Sequence, residues 1–296
     1  MRLGFIGLGT MGRPMAFHLV GGGHSLAFFV RRPEAGLPFT SAGATACSSP
    51  AAVAERSEVV FTMVTGTADV EQIVLGKDGV IQGARPGSLV IDMSTIDPTA
   101  TRALATTLGA QEIDMLDAPV SGGPQGAQAA TLTIMVGGPT RALDLAKPLL
   151  HLLGPTIIHL GNNGAGQTAK ACHQLALLVT AQGVAEALAL AGRSGLDLER
   201  VRQVMLGGVA SSRVLELFGA KMVSRDFKAG IESRLYHKDL GIALDLAHDR
   251  GLALPAAAVT MQHVNALVGK GRERDDLSVL ITLLEEMSAR VDPSQT

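Results

Sequence analysis

The sequence predicts an α/β protein: a Rossmann-type doubly wound sheet, then an all-α domain, joined by one long interdomain helix. Three observations predict it. A glycine fingerprint follows an apolar strand at the start of the chain. Short β-branched runs then alternate with helical stretches to about residue 160. After Asn163 the strand pattern stops and helical periodicity alone remains. The expected domains are residues 1–162, binding a dinucleotide, and residues 163–296, carrying substrate and subunit contacts.

The first element is an apolar strand over residues 3–6. Gly7-Leu8-Gly9-Thr10-Met11-Gly12 follows at once, and a helical stretch starts at Arg13. This is G-x-G-x-x-G between strand and helix, the context that makes the match specific. Gly7 allows a sharp turn, Gly9 lets a pyrophosphate approach the backbone, and Gly12 lets the helix pack close. The helix N-terminus then offers free N–H groups and the positive end of its dipole to the anion.

A second strand over residues 26–30 runs into Arg31-Arg32-Pro33. A carboxylate at that strand end suits the ribose 2′-hydroxyl of NAD, and an arginine suits the 2′-phosphate of NADP. Arg31 and Arg32 therefore favour NADP(H) over NAD(H). Glu34, slightly further on, is the feature that points the other way. Strands are expected over residues 58–64 and 88–95, with a short helix over 68–75 between them. Met63, Val64, Thr65 and Thr95 then stand at C-terminal strand ends, where an open parallel sheet carries its ligand crevice. Asp97 and Pro98 suit the cap and first position of a helix over 98–108.

A strand over residues 113–120 leads into Ser121-Gly122-Gly123. A hydroxyl beside two glycine amides makes either an anion nest fit for a carboxylate or an ordinary polar loop. Two further strands (residues 131–137 and 156–160) flank a helix over 141–153. Gly164-Ala165-Gly166 then opens the long helix, which runs to about Arg193, with Gly192 and Gly195 suited to its stop. On it Lys170, His173 and Gln174 lie at i, i+3 and i+4, so they share one face. Shorter helices begin at Asp197, at Ser211 or Ser212, at Pro255 and at Asp275 or Asp276, and residues 238–247 read as another. The tail from Asp292 should fray.

Composition narrows the function classes. The chain has 296 residues and a formal net charge of -2, so no basic footprint points to nucleic acid. Two cysteines, Cys47 and Cys172, cannot build a disulfide framework and suit a reducing compartment. The start turns glycine-rich too soon for a signal peptide. The longest apolar stretch, residues 175–190, contains Gln182 and Glu186 and reads as a buried helix. A soluble cytoplasmic protein with no membrane or nucleic-acid partner is expected.

Four motifs in order carry a family resemblance: the N-terminal fingerprint, Asp117-Ala118-Pro119-Val120-Ser121-Gly122-Gly123, Gly164-Ala165-Gly166 with Lys170, and Lys238-Asp239-Leu240. Over nearly its whole length the chain resembles the β-hydroxyacid dehydrogenases, which include 3-hydroxyisobutyrate dehydrogenase and tartronate semialdehyde reductase (2-hydroxy-3-oxopropionate reductase). The resemblance implies Lys170 as catalytic acid/base and substrate contacts from Ser121, Gly122, Gly123 and Gln174. It also implies nicotinamide-side contacts near Val64, Thr65 and Thr95, and a cofactor or substrate contact from Lys238. Arg31 sits where NADP-using members carry their 2′-phosphate arginine.

His173 departs from the asparagine frequent in the family. It is similar instead to 6-phosphogluconate dehydrogenase, whose helical domain is larger than this chain allows. Gln174, Arg225-Asp226-Phe227 and Asp276-Leu277-Ser278 resemble the tartronate semialdehyde reductase branch. The implied activity is NADP-dependent interconversion of a short 3-hydroxy acid and its semialdehyde. His173 would either orient substrate or bond a backbone carbonyl. Imine reductases usually differ at the lysine position, and a non-catalytic NADPH scaffold has no need of Lys170 and Ser121. No metal site is expected. The apolar second half suggests a homodimer or homotetramer.

Overall fold

A computed structural model describes residues 1–288. The tail from Asp292 lies outside the described residues. The chain divides into two compact units, Met1–Lys170 and the residues from Ala171 onward.

The first unit alternates strand and helix. Its strands are β1 (Arg2–Ile6), β2 (Ser25–Phe29), β3 (Thr45–Ala46), β4 (Val59–Thr62), β5 (Leu89–Asp92), β6 (Asp114–Asp117), β7 (Val120–Ser121), β8 (Thr133–Gly137) and β9 (Thr156–Gly161). Its helices are α1 (Gly12–Gly21), α2 (Leu37–Ser41), α3 (Pro50–Glu55), α4 (Thr67–Leu75), α5 (Val80–Gly83), α6 (Pro98–Gly109), α7 (Gly123–Ala129) and α8 (Thr140–Leu150). The sheet order is β3-β2-β1-β4-β5-β6-β8-β7, with β9 paired to β8. Strands β3 to β6 along this order are parallel, and β8 is antiparallel to β6 and β7.

Parallel strands covered on both faces carry apolar residues almost continuously. Period-2 alternation then sends neighbours to opposite faces. Phe5, Phe28, Phe61, Ile91 and Leu116 pack in one core, and Ile6, Ala27, Val60, Val90 and Met115 in the other.

Two details differ from the sequence reading. The run 113–120 is not one strand: β6 stops at Asp117, and after Pro119 the chain turns into β7, antiparallel to β8. Pro119 cannot donate to a ladder, which suits a break there. Residues after Gly122 form the short helix α7 rather than a loop. The turns at α2, α3 and α5 were not expected; each spans only four to six residues, too short for a periodic signal.

Helix α9 (Ala165–Arg193) ends the first unit and begins the second. The second unit adds α10 (Leu198–Leu206), α11 (Ala220–Ser224), α12 (Ser233–His248), α13 (Pro255–Gly269) and α14 (Leu280–Met287). A π-helical turn, Leu215–Gly219, precedes α11. By length and composition α9 is the one described helix able to cross a membrane. Its stripe Leu178, Ala181, Ala185 and Leu188 is instead buried among Leu215, Tyr236, Leu240, Val264 and Leu280.

Candidate active site

The parallel register aligns five strand ends. Ile6 pairs with Phe29 on one side and Thr62 on the other, Thr62 with Asp92, and Asp92 with Asp117. The segments that follow these ends therefore share one edge of the sheet. They carry the fingerprint glycines, Arg31 and Arg32, Met63 to Thr65, Thr95, and the stretch up to Gly123. From β1 the chain goes first to β2 and β3, then to β4 on the opposite flank. The edge beside β1 and β4 is thus the topological switch point, where such sheets bind ligands.

The fingerprint has the geometry its spacing requires. Gly7 has φ of 101°, and a Cβ there would lie 2.2 Å from the Met63 carbonyl oxygen. A Cβ on Gly12 would lie 2.0 Å from the Gly7 oxygen and 2.9 Å from the Phe5 ring. Gly9 is different: it is exposed, and nothing lies within 4 Å of where its Cβ would be. Helix α1 also begins without a side-chain cap from Met11. An open backbone surface and an uncapped positive helix end fit the pyrophosphate of a dinucleotide. Arg31 and Arg32 are exposed beside this loop.

Polar contacts tie the remaining strand ends together. Asp92 accepts from Thr62 Oγ1 at 2.7 Å and from Ser94 N at 3.2 Å, and Ser94 Oγ accepts from Val64 N at 2.9 Å. Val64 is thereby tied to Ser94, the residue before Thr95. Lys170 is buried, and its Nζ donates to the Val120 oxygen at 2.8 Å. This brings the amine to the residue before Ser121. Helix α7, entered through Gly122 and Gly123, is held to α1 by His18, whose Nε2 lies 3.1 and 3.0 Å from the Ala127 and Gln128 oxygens.

Within the second unit, Gln174 is buried and donates to Asp239 Oδ2 at 2.6 Å. Asp239 Oδ1 lies 2.9 Å from Lys238 Nζ. His173 Nδ1 is 3.0 Å from Gln174 Oε1. No group of three or more His, Cys, Asp or Glu gathers as a metal site among the described residues.

Family models match along almost the whole chain. Residues 2–161 match the NAD-binding domain of 6-phosphogluconate dehydrogenase, and residues 164–284 the NAD-binding region of NADP-dependent 3-hydroxyisobutyrate dehydrogenase. The chain belongs to the β-hydroxyacid dehydrogenase family. It is 41% identical to the 2-hydroxy-3-oxopropionate reductase of Escherichia coli, over 97% of this chain and 98% of that one. It is 36% identical to an NAD-dependent L-serine dehydrogenase of Pseudomonas aeruginosa, over 96% and 98% of the two chains. The crystal structure of a 3-hydroxyisobutyrate dehydrogenase from Salmonella typhimurium superposes with a TM-score of 0.87 at 30% identity, covering 96% of this chain and 99% of that one. The protein is thus a hydroxyacid-dehydrogenase-type oxidoreductase with a nicotinamide dinucleotide as cofactor and a small molecule as partner.

As a β-hydroxyacid dehydrogenase, the chain gathers at one sheet edge the positions expected from its first unit. Sequence reasoning gave no role to Asp92, Asp117, Gln167 or Asp239, which are buried polar residues; Asp117 and Asp239 entered it only as members of motifs. A carboxylate closing an apolar run was the signal that could have singled out Asp117 within its motif. Gln167 offered no signal beyond its place between Gly166 and Lys170.

Proposed function

We propose that this dehydrogenase is an NADP-dependent reductase of the 2-hydroxy-3-oxopropionate type, with Lys170 as general acid/base. The observation that carries the reading is the buried Lys170 side chain, its Nζ held at Val120 beside the Ser121-Gly122-Gly123 turn. When bound, NADPH would supply the hydride. Lys170 Nζ gives a proton to the substrate carbonyl oxygen during reduction and takes it back in oxidation. Ser121 Oγ and the amides of Gly122 and Gly123 hold the substrate carboxylate. Gln174, anchored by Asp239, and His173 orient the substrate. Arg31 and Arg32 take the 2′-phosphate, Met63, Val64, Thr65 and Thr95 line the nicotinamide side, and Lys238 contacts the cofactor.

The 41% identical reductase supports this substrate. Relatives named for other hydroxy acids make 3-hydroxyisobutyrate or another β-hydroxyacid the second reading. The enzyme would work in the cytoplasm as a homodimer or homotetramer. The test is turnover on a panel of semialdehydes and hydroxy acids with NADPH and NADH side by side. Fastest turnover of 2-hydroxy-3-oxopropionate with NADPH is expected. A preference for 3-hydroxyisobutyrate, or for NADH, overturns the corresponding half of the reading. NADPH binding without turnover on any of them points to a scaffold.

A further inference from the structure

We propose that Asp117 and Gln167 are positioning residues: together they clamp the first turn of α9 to the sheet edge and so fix where the Lys170 amine sits. The inference rests on the acid/base reading of Lys170.

A helix leaves its first N–H groups without intrahelical partners. In α9 the partner comes from the end of a strand. Asp117, at the end of β6, accepts from Gly164 N through Oδ1 at 2.8 Å and from Gln167 N through Oδ2 at 3.0 Å. Those are the positions just before the helix and at its third residue, which a capping side chain normally serves. The nearby Asn163 side chain is engaged elsewhere, donating to the Met115 oxygen at 2.7 Å.

Two glycines make room for this carboxylate. A Cβ on Gly137 would lie 2.7 Å from both Asp117 oxygens, and one on Gly166 would lie 2.5 Å from the Met135 oxygen. The glycine at 166 therefore serves close approach between helix and strand, and Gly164, with φ of 88°, makes the turn.

Gln167 fastens the same turn on its other side. Its Nε2 donates to the Ser94 oxygen at 2.8 Å, and its Oε1 accepts from Ile96 N at 3.1 Å. It thus grips the backbone on both sides of Thr95. Lys170 follows three residues later, and its Nζ returns to Val120, three residues after Asp117. One short segment, 117–120, holds both the start of the helix and the amine it carries. A catalytic group displaced by about 1 Å can lose a hundredfold in rate, so this bracing matters to turnover.

The site is also a costly place for a carboxylate. Burial pushes Asp117 up to about 6, against its backbone hydrogen bonds, and the neighbouring Asp92 charge adds to the rise. Arg102 of α6 lies beside Gly164 at the same turn.

Asp117→Asn and Gln167→Met, each alone and each combined with Lys170→Ala, test the clamp with NADPH and 2-hydroxy-3-oxopropionate. Each single variant should lower kcat at least about tenfold while NADPH affinity stays within about threefold. Combined with Lys170→Ala, neither should lower kcat further, because a residue acting only through Lys170 has nothing left to position. Independently of turnover, Asp117→Asn should speed hydrogen exchange of the Gly164 and Gln167 amides at least about tenfold. Wild-type kcat in both singles, a further loss in the double variants, or unchanged exchange overturns the inference. If Lys170→Ala is inactive and both singles are wild type, the clamp alone falls. If Lys170→Ala keeps full turnover, the acid/base reading falls and the clamp with it. Should Asp117→Asn not fold, Gln167→Met carries the kinetic test, since it leaves the Asp117 contacts in place.

Discussion

Helices α1 and α9 both begin on glycine-rich turns at the same edge of the sheet, yet their first turns are served in opposite ways. At α1 the protein supplies no side-chain cap, and the space over Gly9 is open. At α9 the protein supplies a whole carboxylate, and the space over Gly166 is filled. One helix end is left for an anion that arrives; the other is consumed in holding a side chain still. A G-x-G motif alone therefore does not say whether a helix binds or is bound. What lies against the second glycine decides it.

The largest expected effect lies downstream of the α9 turn. Lys170→Ala should reduce kcat by about 10²–10⁴, the usual range for general acid/base help, with NADPH affinity kept. Retained turnover in a folded variant removes the catalytic half of the contrast.

Next is the stability of the carboxylate in the clamp. The folded-state pKa of Asp117, about 6, lies above its ordinary 3.8. The folded state thus binds the proton more tightly than the unfolded one. Stability should rise as pH falls from above 6 toward 4, by up to about 3 kcal/mol relative to Asp117→Asn. Denaturant unfolding across that window checks it. Turnover should move the other way, since a protonated Asp117 loses one acceptor for the helix amides. A wild-type stability profile that parallels the Asn variant removes the claim of a buried charge.

The second and third fingerprint glycines sharpen the contrast at α1. Gly12→Ala drives a methyl against the Gly7 oxygen and should destabilise by about 1–3 kcal/mol in thermal unfolding. Gly9→Ala meets nothing in the protein and should leave the melting temperature alone while weakening NADPH binding about tenfold. Equal melting losses in both would mean the open surface is not open. Arg31→Ala should weaken NADPH by about 1.5–3 kcal/mol, as expected for one charge-assisted contact, and leave NADH untouched. Equal losses for both cofactors would place the arginine elsewhere.

The smallest effect is a locally capped helix. Asp97 accepts from Ala100 N at 2.7 Å at the start of α6. Asp97→Ala should lose about 1 kcal/mol of stability, with kcat unchanged. A kcat loss here as large as in Asp117→Asn would show that any disturbed helix start slows the enzyme.

These residues mark how far the chain could be read unaided. Asp97 was visible because cap and amide are three residues apart. The fingerprint was visible because strand, turn and helix are consecutive. Lys170, His173 and Gln174 were visible as one helix face, since 3.6-residue periodicity is a property of the chain itself. The break at Asp117 was hidden inside an apolar run, and no helix was expected at α7, where Gly123, Pro124 and Gly126 fall within seven residues.

The amino-acid sequence by itself determined the alternation of the longer strands and helices, the dinucleotide fingerprint and the family, because each is written in patterns among near neighbours. Only the tertiary structure decided how the Lys170 turn is held. Its bonds join residues 50 and 73 positions apart, from Gln167 to Asp117 and to Ser94, and no local pattern records such a meeting.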